Sequence, residues 1–244
     1  MAPTTGNTHT KRALFELRQR IISGDIPGGT RLYEVALAAE LEISRTPVRE
    51  AMSRLAEEGL LERVSGGGFM ARSFTVADVV DAIEIRGVLE GTAARLAAER
   101  GVTNEQMAPI RAVVNSLDAC VGKGPEDVRF DEYSELNADF HDELAKLSQS
   151  DLLIRELNRA KSLPFASPSA FLPNETEIDE FRLSLVIAQN QHRMIVSAIE
   201  NREGARVESI VREHARIARG NLEFALNDDT DLIGQLPGMA IVKE

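Results

Sequence analysis

The sequence has few of the residues that build disulfide-linked or aromatic-rich proteins. It has no tryptophan, an aromatic fraction of 5% and a single cysteine, Cys120. One cysteine cannot form an intramolecular disulfide, which is consistent with a reducing cytoplasm, and we expect it to be a small buried apolar group. No apolar run is long enough to span a bilayer, and no signal-peptide pattern follows Met1. We therefore expect a cytoplasmic protein with no membrane contact.

The composition that remains favours helices. Hydrophobic residues make up 43% of the 244 residues and charged residues 27%, as in an ordinary globular protein. With so few aromatic residues, the core must be built mainly from Leu, Ile, Val and Ala. A sequence rich in Ala, Arg and Glu favours helix over strand. The sequence therefore predicts a mainly α protein with one or two domains.

The charge is divided unevenly along the chain. The net charge is −11, but residues 1–74 contain ten Lys and Arg and nine Asp and Glu, a net charge of +1. The rest contains 18 basic and 30 acidic residues, a net charge of −12. An acidic body repels DNA, so only the first third of the chain is suited to approach a nucleic acid.

Helical spacing of apolar residues predicts three helices in this first third, at 10–23, 33–41 and 44–58. Ser44 is a suitable N-cap for the third helix, and Gly59 ends it. Two short extended runs around a Ser-Gly-Gly-Gly turn then predict a β-hairpin within 60–72. We interpret 10–74 as a winged helix-turn-helix that follows a disordered tail at 1–9.

The remaining chain predicts an all-helical antiparallel bundle of six or seven helices over 75–227, followed by a C-terminal tail at 228–244. Breaks at Gly and Pro residues separate six amphipathic segments. The predicted helices are 76–100, 103–121, 126–148, 151–162, 177–201 and 204–226.

The third helix has the pattern of a DNA recognition helix. Its apolar stripe is formed by Val48, Ala51, Met52 and Leu55, and its opposite side carries Ser44, Arg45, Thr46 and Arg49. Arg45 and Arg49 are one turn apart and project together from the end that meets base edges in a major groove. An arginine fork suits guanine O6/N7 or phosphate, and the hydroxyls of Ser44 and Thr46 can donate to phosphate. The alternatives are a solvated charged helix face, or a winged helix that binds protein.

Specific motifs in this region resemble the GntR family of bacterial regulators. They are Gly24–Gly28, Arg31-Leu32, Glu34, Leu37-Ala38, Ser44–Ala51, Arg54-Leu55, Glu58–Leu60 and Gly68-Phe69. The resemblance implies a dimer that binds operator DNA. The implied DNA-contacting residues are Ser44, Arg45, Thr46, Arg49 and Arg31, with Gly67 and Gly68 at the wing tip. Glu42 stands where the family usually has glycine, so we expect a tighter or distorted turn there, with an added acid near the DNA.

Three of the four histidines lie on predicted core-facing stripes. His192 and His214 are each inside an apolar seam, and His141 borders another, one turn after Asn137. A lone buried histidine is usually a hydrogen-bonded core residue. Three on three helices can instead share a divalent metal, for which neutral imidazoles are good ligands. The spacing alone leaves both readings open.

The second half resembles the FCD domain, the ligand-binding half of FadR-like GntR regulators. The motifs are Asn137–His141, His192 with Ile195 and Ala198-Ile199, and His214. The resemblance implies a metal on three His and an Asp, most simply Zn, with Ni or another transition metal as alternatives. A small organic acid completes the coordination. Here Asn137 stands at the Asp position, so it is a weaker metal ligand or an effector contact. Arg86 resembles an effector-binding arginine, with an ion pair to Glu90 as the alternative.

Together these features predict a homodimeric transcriptional regulator, a repressor of a metabolic operon, controlled by a small carboxylate. The rival class is a metal-dependent hydrolase, since three histidines with an open position can activate water. No Glu or Asp flanks His192 or His214 in the apolar stripes, so no general base is evident and we expect no enzyme activity. A third possibility keeps DNA binding and makes the histidines purely structural.

Overall fold

A computed structural model of the chain describes residues 5–122, 124–170, 178–227, 236 and 238–243. Over these residues the chain is mainly helical, which confirms the predicted fold class. It divides into two compact units. The first comprises Met1–Asp78, Ser162–Pro164 and Pro237–Glu244, and the second comprises Val79–Lys161 and Phe165–Leu236.

Three helices form the body of the first unit: α1 (Thr5–Ile22), α2 (Glu34–Glu40) and α3 (Arg45–Glu57). α1 packs on α3, and Leu17 and Leu55 are fully buried in this core. Polar contacts tie the two helices together at both ends: Thr10 donates a hydrogen bond to Glu50, and Arg18 pairs with Glu58 at 2.7 Å. The body therefore fixes the orientation of α3, the predicted recognition helix.

The start of α1 differs from the sequence expectation. The helix begins at Thr5, so residues 5–9 of the predicted tail are helical, while 1–4 lie outside the described residues. Gly6 and Asn7 have low helix propensity, but extending an existing helix is easy once its nucleus is formed and packed.

The wing is an antiparallel sheet of β1 (Arg31–Leu32), β2 (Leu61–Arg63) and β3 (Phe69–Ala71), in the order β1-β3-β2. Arg31 pairs with Met70, and Leu61 with Ala71. The β2–β3 turn contains Gly66–Gly68, whose φ angles of 92°, 92° and 88° are available to glycine but strained for other residues. The predicted hairpin is thus present. β1 was not predicted, because two residues are too few to show a periodic pattern.

A second short sheet lies within the same unit. β4 (Phe74–Thr75) pairs in parallel with β5 (Val242–Lys243), which follows a 3-10 turn at Met239–Ile241. The expected C-terminal tail therefore includes a strand, although residues 228–235 lie outside the described residues. As with β1, a two-residue strand leaves no signal in the sequence.

The second unit is built on six α-helices within the described residues: α4 (Val76–Arg100), α5 (Asn104–Val121), α6 (Phe130–Leu147), α7 (Asp151–Ala160), α8 (Asp179–Glu200) and α9 (Gly204–Asn227). Its largest buried cluster is dominated by Ala, Val, Leu and Ile, as the composition predicts, and includes Cys120. α8 packs on α9 and α5, and α5 packs on α6. This arrangement faces α6, α8 and α9 toward a shared interior.

Side-chain caps begin two of the helices, α5 and α7, whereas Ser44 at the start of α3 makes no cap hydrogen bond through its side chain. α5 begins with a capping box, in which Thr103 accepts from the Gln106 amide and Gln106 accepts from the Thr103 amide. α6 begins at Phe130, four residues later than predicted. The reason is that Pro125–Asp127 forms a separate 3-10 turn and the Arg129 backbone is extended.

Candidate DNA-reading surface and three-histidine centre

α3 exposes the residues predicted to contact DNA. Ser44 is its N-cap, and Val48 and Leu55 bury the opposite face. The side chains of Arg45 and Arg49 are each 60% exposed, and Ser44 and Thr46 are exposed beside them. The structure therefore presents both guanidinium groups on one accessible surface at the N-terminal end of α3.

Glu34, the first residue of α2, lies between these two arginines. Arg49 Nε and Nη2 donate to the two carboxylate oxygens of Glu34, both at 2.8 Å, and Arg45 Nη2 lies 3.6 Å from the same carboxylate. The hydrogen bond from Arg49 lowers the pKa of Glu34, so the carboxylate is ionised at neutral pH. In the sequence, Glu34 stands out only as part of a family motif. Its place beside Arg49, fifteen positions away, depends on how α2 and α3 pack.

The wing carries further cationic side chains. Arg31 donates to the Gly67 carbonyl at 2.9 Å and lies over the ring of Tyr33, 5.3 Å from its centroid. A Cβ at Gly67 would contact no atom within 4 Å, so the tip is open, whereas one at Gly68 would meet the Leu32 carbonyl at 3.0 Å. The predicted wing residues are thus gathered at one tip, with Arg31 bracing the turn.

Glu42 occupies the turn between α2 and α3 with a positive φ of 54°. The Ile43 amide bonds to the Ala38 carbonyl at 3.1 Å and the Glu42 amide to the Ala39 carbonyl at 3.4 Å, which is a Schellman ending for α2. The turn thus has the hydrogen bonds of a regular helix ending. Replacing the usual glycine instead places a side-chain residue in the left-handed region.

In the second unit, α6, α8 and α9 each bring one histidine to a common point. His141, His192 and His214 are 1%, 0% and 7% exposed. The Nε2 atom of His214 lies 3.2 Å from that of His192 and 3.3 Å from that of His141. The structure thus assembles the three histidines that the sequence placed on separate helices.

The other ring nitrogen of each histidine faces a side-chain oxygen. The pairs are His141 Nδ1 with Glu90 (2.8 Å), His192 Nδ1 with Gln189 (3.0 Å) and His214 Nδ1 with Gln191 (3.0 Å). Gln189 donates its amide nitrogen to the Val114 carbonyl, which turns its oxygen toward His192. Oxygen acceptors at Nδ1 favour the tautomer that carries its proton there, and this arrangement turns each Nε2 atom toward the centre of the cluster.

Two of the three histidines, His192 and His214, are also held in the neutral form. Burial lowers the pKa of His192 well below its usual range, and the neighbouring His214 and His141 lower it further. Burial and His141 likewise lower the pKa of His214 to about 3. Neutral imidazoles are suitable metal ligands because a protonated ring nitrogen cannot bind a metal.

The donor set fits a transition-metal ion. Nitrogen ligands of a tetrahedral ion at about 2.0–2.1 Å lie about 3.3 Å from one another. The two shortest Nε2 separations, 3.2 and 3.3 Å, match this value. The bond from His141 to Glu90 has the form of the carboxylate–histidine–metal contacts that orient metal ligands.

Glu90 belongs to the histidine centre, although the sequence indicated it only as a possible ion-pair partner of Arg86. It is buried on α4, accepts from His141 through Oε1, and pairs with Arg86 Nη1 at 3.1 Å through Oε2. Burial alone would raise the pKa of Glu90, but the neighbouring His141 and Arg86 lower it to about 2. The Arg86–Glu90 ion pair considered from the i,i+4 spacing is therefore present. The contact to His141, fifty-one positions away, left no local signal.

Arg86 and Asn137 line a cavity beside the histidines. The cavity measures about 370 Å³, counted with its opening to solvent, and its wall also includes Tyr133, His214 and Asn221. Arg86 Nε and the Tyr133 hydroxyl are buried without a hydrogen-bond partner among the described residues. Asn137 Nδ2 donates to the Ser169 hydroxyl at 3.1 Å, and the amide oxygen takes no part in this hydrogen bond. Buried donors of this kind suit a ligand that brings oxygen acceptors.

Two family descriptions match the chain. "Bacterial regulatory proteins, gntR family" matches residues 10–70, and "FCD domain" matches residues 81–216, which is more than half of the chain. Both matched families and the named relatives are transcriptional regulators rather than enzymes.

Three curated relatives give the extent of the similarity. The "Nta operon transcriptional regulator" of Aminobacter aminovorans is 37% identical over 52% of this chain, and the match spans 58% of that protein, less than two thirds. An HTH-type regulator in an unstable DNA locus of Streptomyces ambofaciens is 33% identical over 73% of this chain and 77% of its own length. The "Probable D-xylose utilization operon transcriptional repressor" of Paenarthrobacter nicotinovorans is 29% identical over 80% of each chain.

Solved structures share the fold. E. coli McbR/YncC superposes with a TM-score of 0.57 at 20% identity, covering 89% of this chain and 97% of its own. Within the described part of the chain, no helix has both the length and the apolar character that a bilayer crossing requires.

Proposed function

Because this chain belongs to the GntR family of bacterial regulators, with an FCD domain after its winged helix-turn-helix, and is therefore a DNA-binding transcriptional regulator, we propose that a small organic acid controls its affinity for operator DNA. Residues 10–74 contact DNA and residues 75–227 bind the acid. Two observations carry the proposal: α3 has an exposed arginine surface, and the cavity in the second unit is lined by Arg86 and Tyr133, whose Nε and hydroxyl are buried without a partner among the described residues.

In the first unit, Arg45 and Arg49 contact bases or phosphates of the duplex from the first turns of α3, and Ser44 and Thr46 donate hydrogen bonds to phosphate. Arg31 and the open turn at Gly67 and Gly68 bring the wing to the backbone or minor groove. Support comes from the exposure of these groups. Support also comes from the net charge of +1 over residues 1–74, against −12 for the remainder.

In the second unit, His141, His192 and His214 hold a divalent transition metal, Zn being the simplest choice and Ni an alternative. When bound, the metal supplies a fixed positive charge and an open coordination position for an anionic oxygen. Glu90 and the two glutamines orient the imidazoles. Asn137, at the family's aspartate position, faces the same cavity as a neutral ligand or an effector contact.

The effector is a small carboxylate. Arg86 Nε and the Tyr133 hydroxyl are positioned to donate to it, and ordering these groups stabilises one arrangement of the bundle. An acid that binds one arrangement of the protein more tightly can change the DNA affinity by at most its differential binding free energy for the two arrangements. We further propose a homodimer that represses a metabolic operon. The relative from P. nicotinovorans, named as a repressor of a sugar-utilization operon, is a precedent.

The test is a thermal-shift screen of small mono- and dicarboxylates on untagged protein, either metal-free or loaded with Zn, Ni or Co. One class of acid is expected to raise the melting temperature only in the presence of metal, because a ligand that binds only the native state stabilises it. The same acid should change affinity for a duplex chosen by in vitro selection. Acids without effect under every metal condition would contradict effector control, and a failure to select any DNA sequence would contradict operator binding.

A further inference from the structure

The Glu34–Arg49 pair engages only one edge of the arginine fork. Glu34 accepts from Nε and Nη2, so the Nη1/Nη2 edge of the planar guanidinium points away from the carboxylate. That free edge presents two parallel N–H donors, which is the arrangement that matches guanine O6 and N7. The side chain of Arg49 is 60% exposed, so the free edge is accessible to a base.

Glu34 is itself well anchored. Its side chain is only 17% exposed, and as the first residue of α2 it lies at the positive end of that helix dipole. Arg45 approaches the same carboxylate at 3.6 Å. One fixed anion therefore restricts two long, flexible side chains, and it restricts Arg49 in both position and plane.

We propose that Glu34 is a specificity-determining residue, which holds the guanidinium of Arg49 edge-on to a guanine in the operator. This rests on the proposed function, in which α3 reads DNA. Immobilising the fork before binding removes the entropy cost of ordering it against the base. It also ties Arg49 to one base position, instead of leaving it free to contact any phosphate nearby.

The alternative is that Glu34 acts only through its negative charge. A carboxylate facing a duplex repels it, and DNA could displace Glu34 from Arg49 in order to bind. In that case Glu34 would lower affinity for every sequence and contribute nothing to discrimination. The two roles predict opposite behaviour of the base preference when the carboxylate is neutralised.

The experiment is in vitro selection from a random duplex library, followed by sequencing, with the full-length wild type, Glu34→Gln, Arg49→Ala and Arg45→Ala. We expect Glu34→Gln to lose preference at the same base position as Arg49→Ala, with discrimination there falling about tenfold or more. Glu34→Gln should keep its base preference at the other operator positions, including the position where Arg45→Ala loses preference. Melting temperatures check that each variant folds. Glu34→Asp, which keeps the charge but shortens the reach of the carboxylate, is a second substitution at the same position.

The matched control is Glu40→Gln. Glu40 lies at the other end of α2 and is paired with Arg20, so the variant removes the same charge from the same helix, away from Arg49. It should raise affinity for all sequences and leave the base preferences intact. If Glu34→Gln behaves like Glu40→Gln, the specificity role is wrong. If the wild type itself enriches no sequence, the proposed operator reading fails instead.

Discussion

Tyr133 lines the cavity, and its hydroxyl is buried with no hydrogen-bond partner among the described residues. Removing such a group should cost the free protein nothing, because an unsatisfied buried hydroxyl is unfavourable. We expect Tyr133→Phe to keep or slightly raise the melting temperature. Affinity for the effector should fall about three- to tenfold, the value of one lost hydrogen bond.

Calorimetric titration of the acid found in the screen would measure this loss. Tyr33→Phe is the control, since Tyr33 is exposed on the first unit and should leave effector affinity unchanged. A Tyr133→Phe variant that is markedly less stable, yet binds the acid normally, would show that the hydroxyl has a structural role.

The proposed metal site can be tested by comparing the metal content of two histidine variants. His192→Ala removes one of three converging nitrogens, and we expect the metal content of untagged protein to fall from about one per chain to near zero. His9→Ala, on the exposed face of α1, should retain the metal. Elemental analysis after exhaustive dialysis measures both variants. Equal metal content in the two would rule out the centre, and a metal-free wild type would favour purely structural histidines.

The sequence predicts where a side chain lies when its placement depends on its own helix. Arg45 and Arg49 share a face because of α-helical geometry, and the apolar seams point the histidines inward. The contacts of Glu34 with Arg49 and of Glu90 with His141 were not predictable, because each joins two different helices. A carboxylate in a helical sequence resembles any solvated charge until tertiary packing brings its partner close.

At the scale of elements, the α2–α3 turn offers a test of strain. Glu42 adopts a φ of 54° in a Schellman ending where glycine would be unstrained. Glu42→Gly should stabilise this region by about 0.5–1 kcal/mol, since relief of the left-handed strain exceeds the added entropy of the unfolded chain. Glu42→Ala removes the same charge, keeps the strain and should change little.

Hydrogen exchange of the α2 and α3 amides is the suitable readout, because a two-unit chain need not unfold in one step. Protected amides should exchange roughly twofold to fivefold more slowly in Glu42→Gly. Slowing of the same size in Glu42→Ala would assign the effect to charge and not to backbone conformation.

The helices were predictable within a few residues because glycine, proline and capping residues mark their ends and apolar spacing marks their faces. α4 begins and ends where the sequence predicts, at 76 and 100. The β4–β5 pair was not predictable. A strand of two residues has no period, and its partner lies more than 160 positions away.

At the scale of the whole molecule, regulation requires that the DNA and effector sites be coupled. If an acid changes operator affinity by some factor, the operator must change affinity for the acid by the same factor. Gel-shift titrations with and without acid measure the change in operator affinity, and calorimetry with and without duplex measures the change in acid affinity. We expect the two factors to agree within error. Tight binding of both ligands with no mutual effect would contradict effector control while leaving both sites in place.

The placement of the two tyrosines gives the molecule its own optical reporters. Tyrosine emission is normally masked by tryptophan, which this sequence lacks. One tyrosine, Tyr133, is buried and lines the cavity, and the other, Tyr33, is exposed beside Arg31 at the wing. Native fluorescence can therefore follow effector entry through one ring and duplex contact through the other, without any dye. The two phenylalanine variants described above assign each part of the signal to its site.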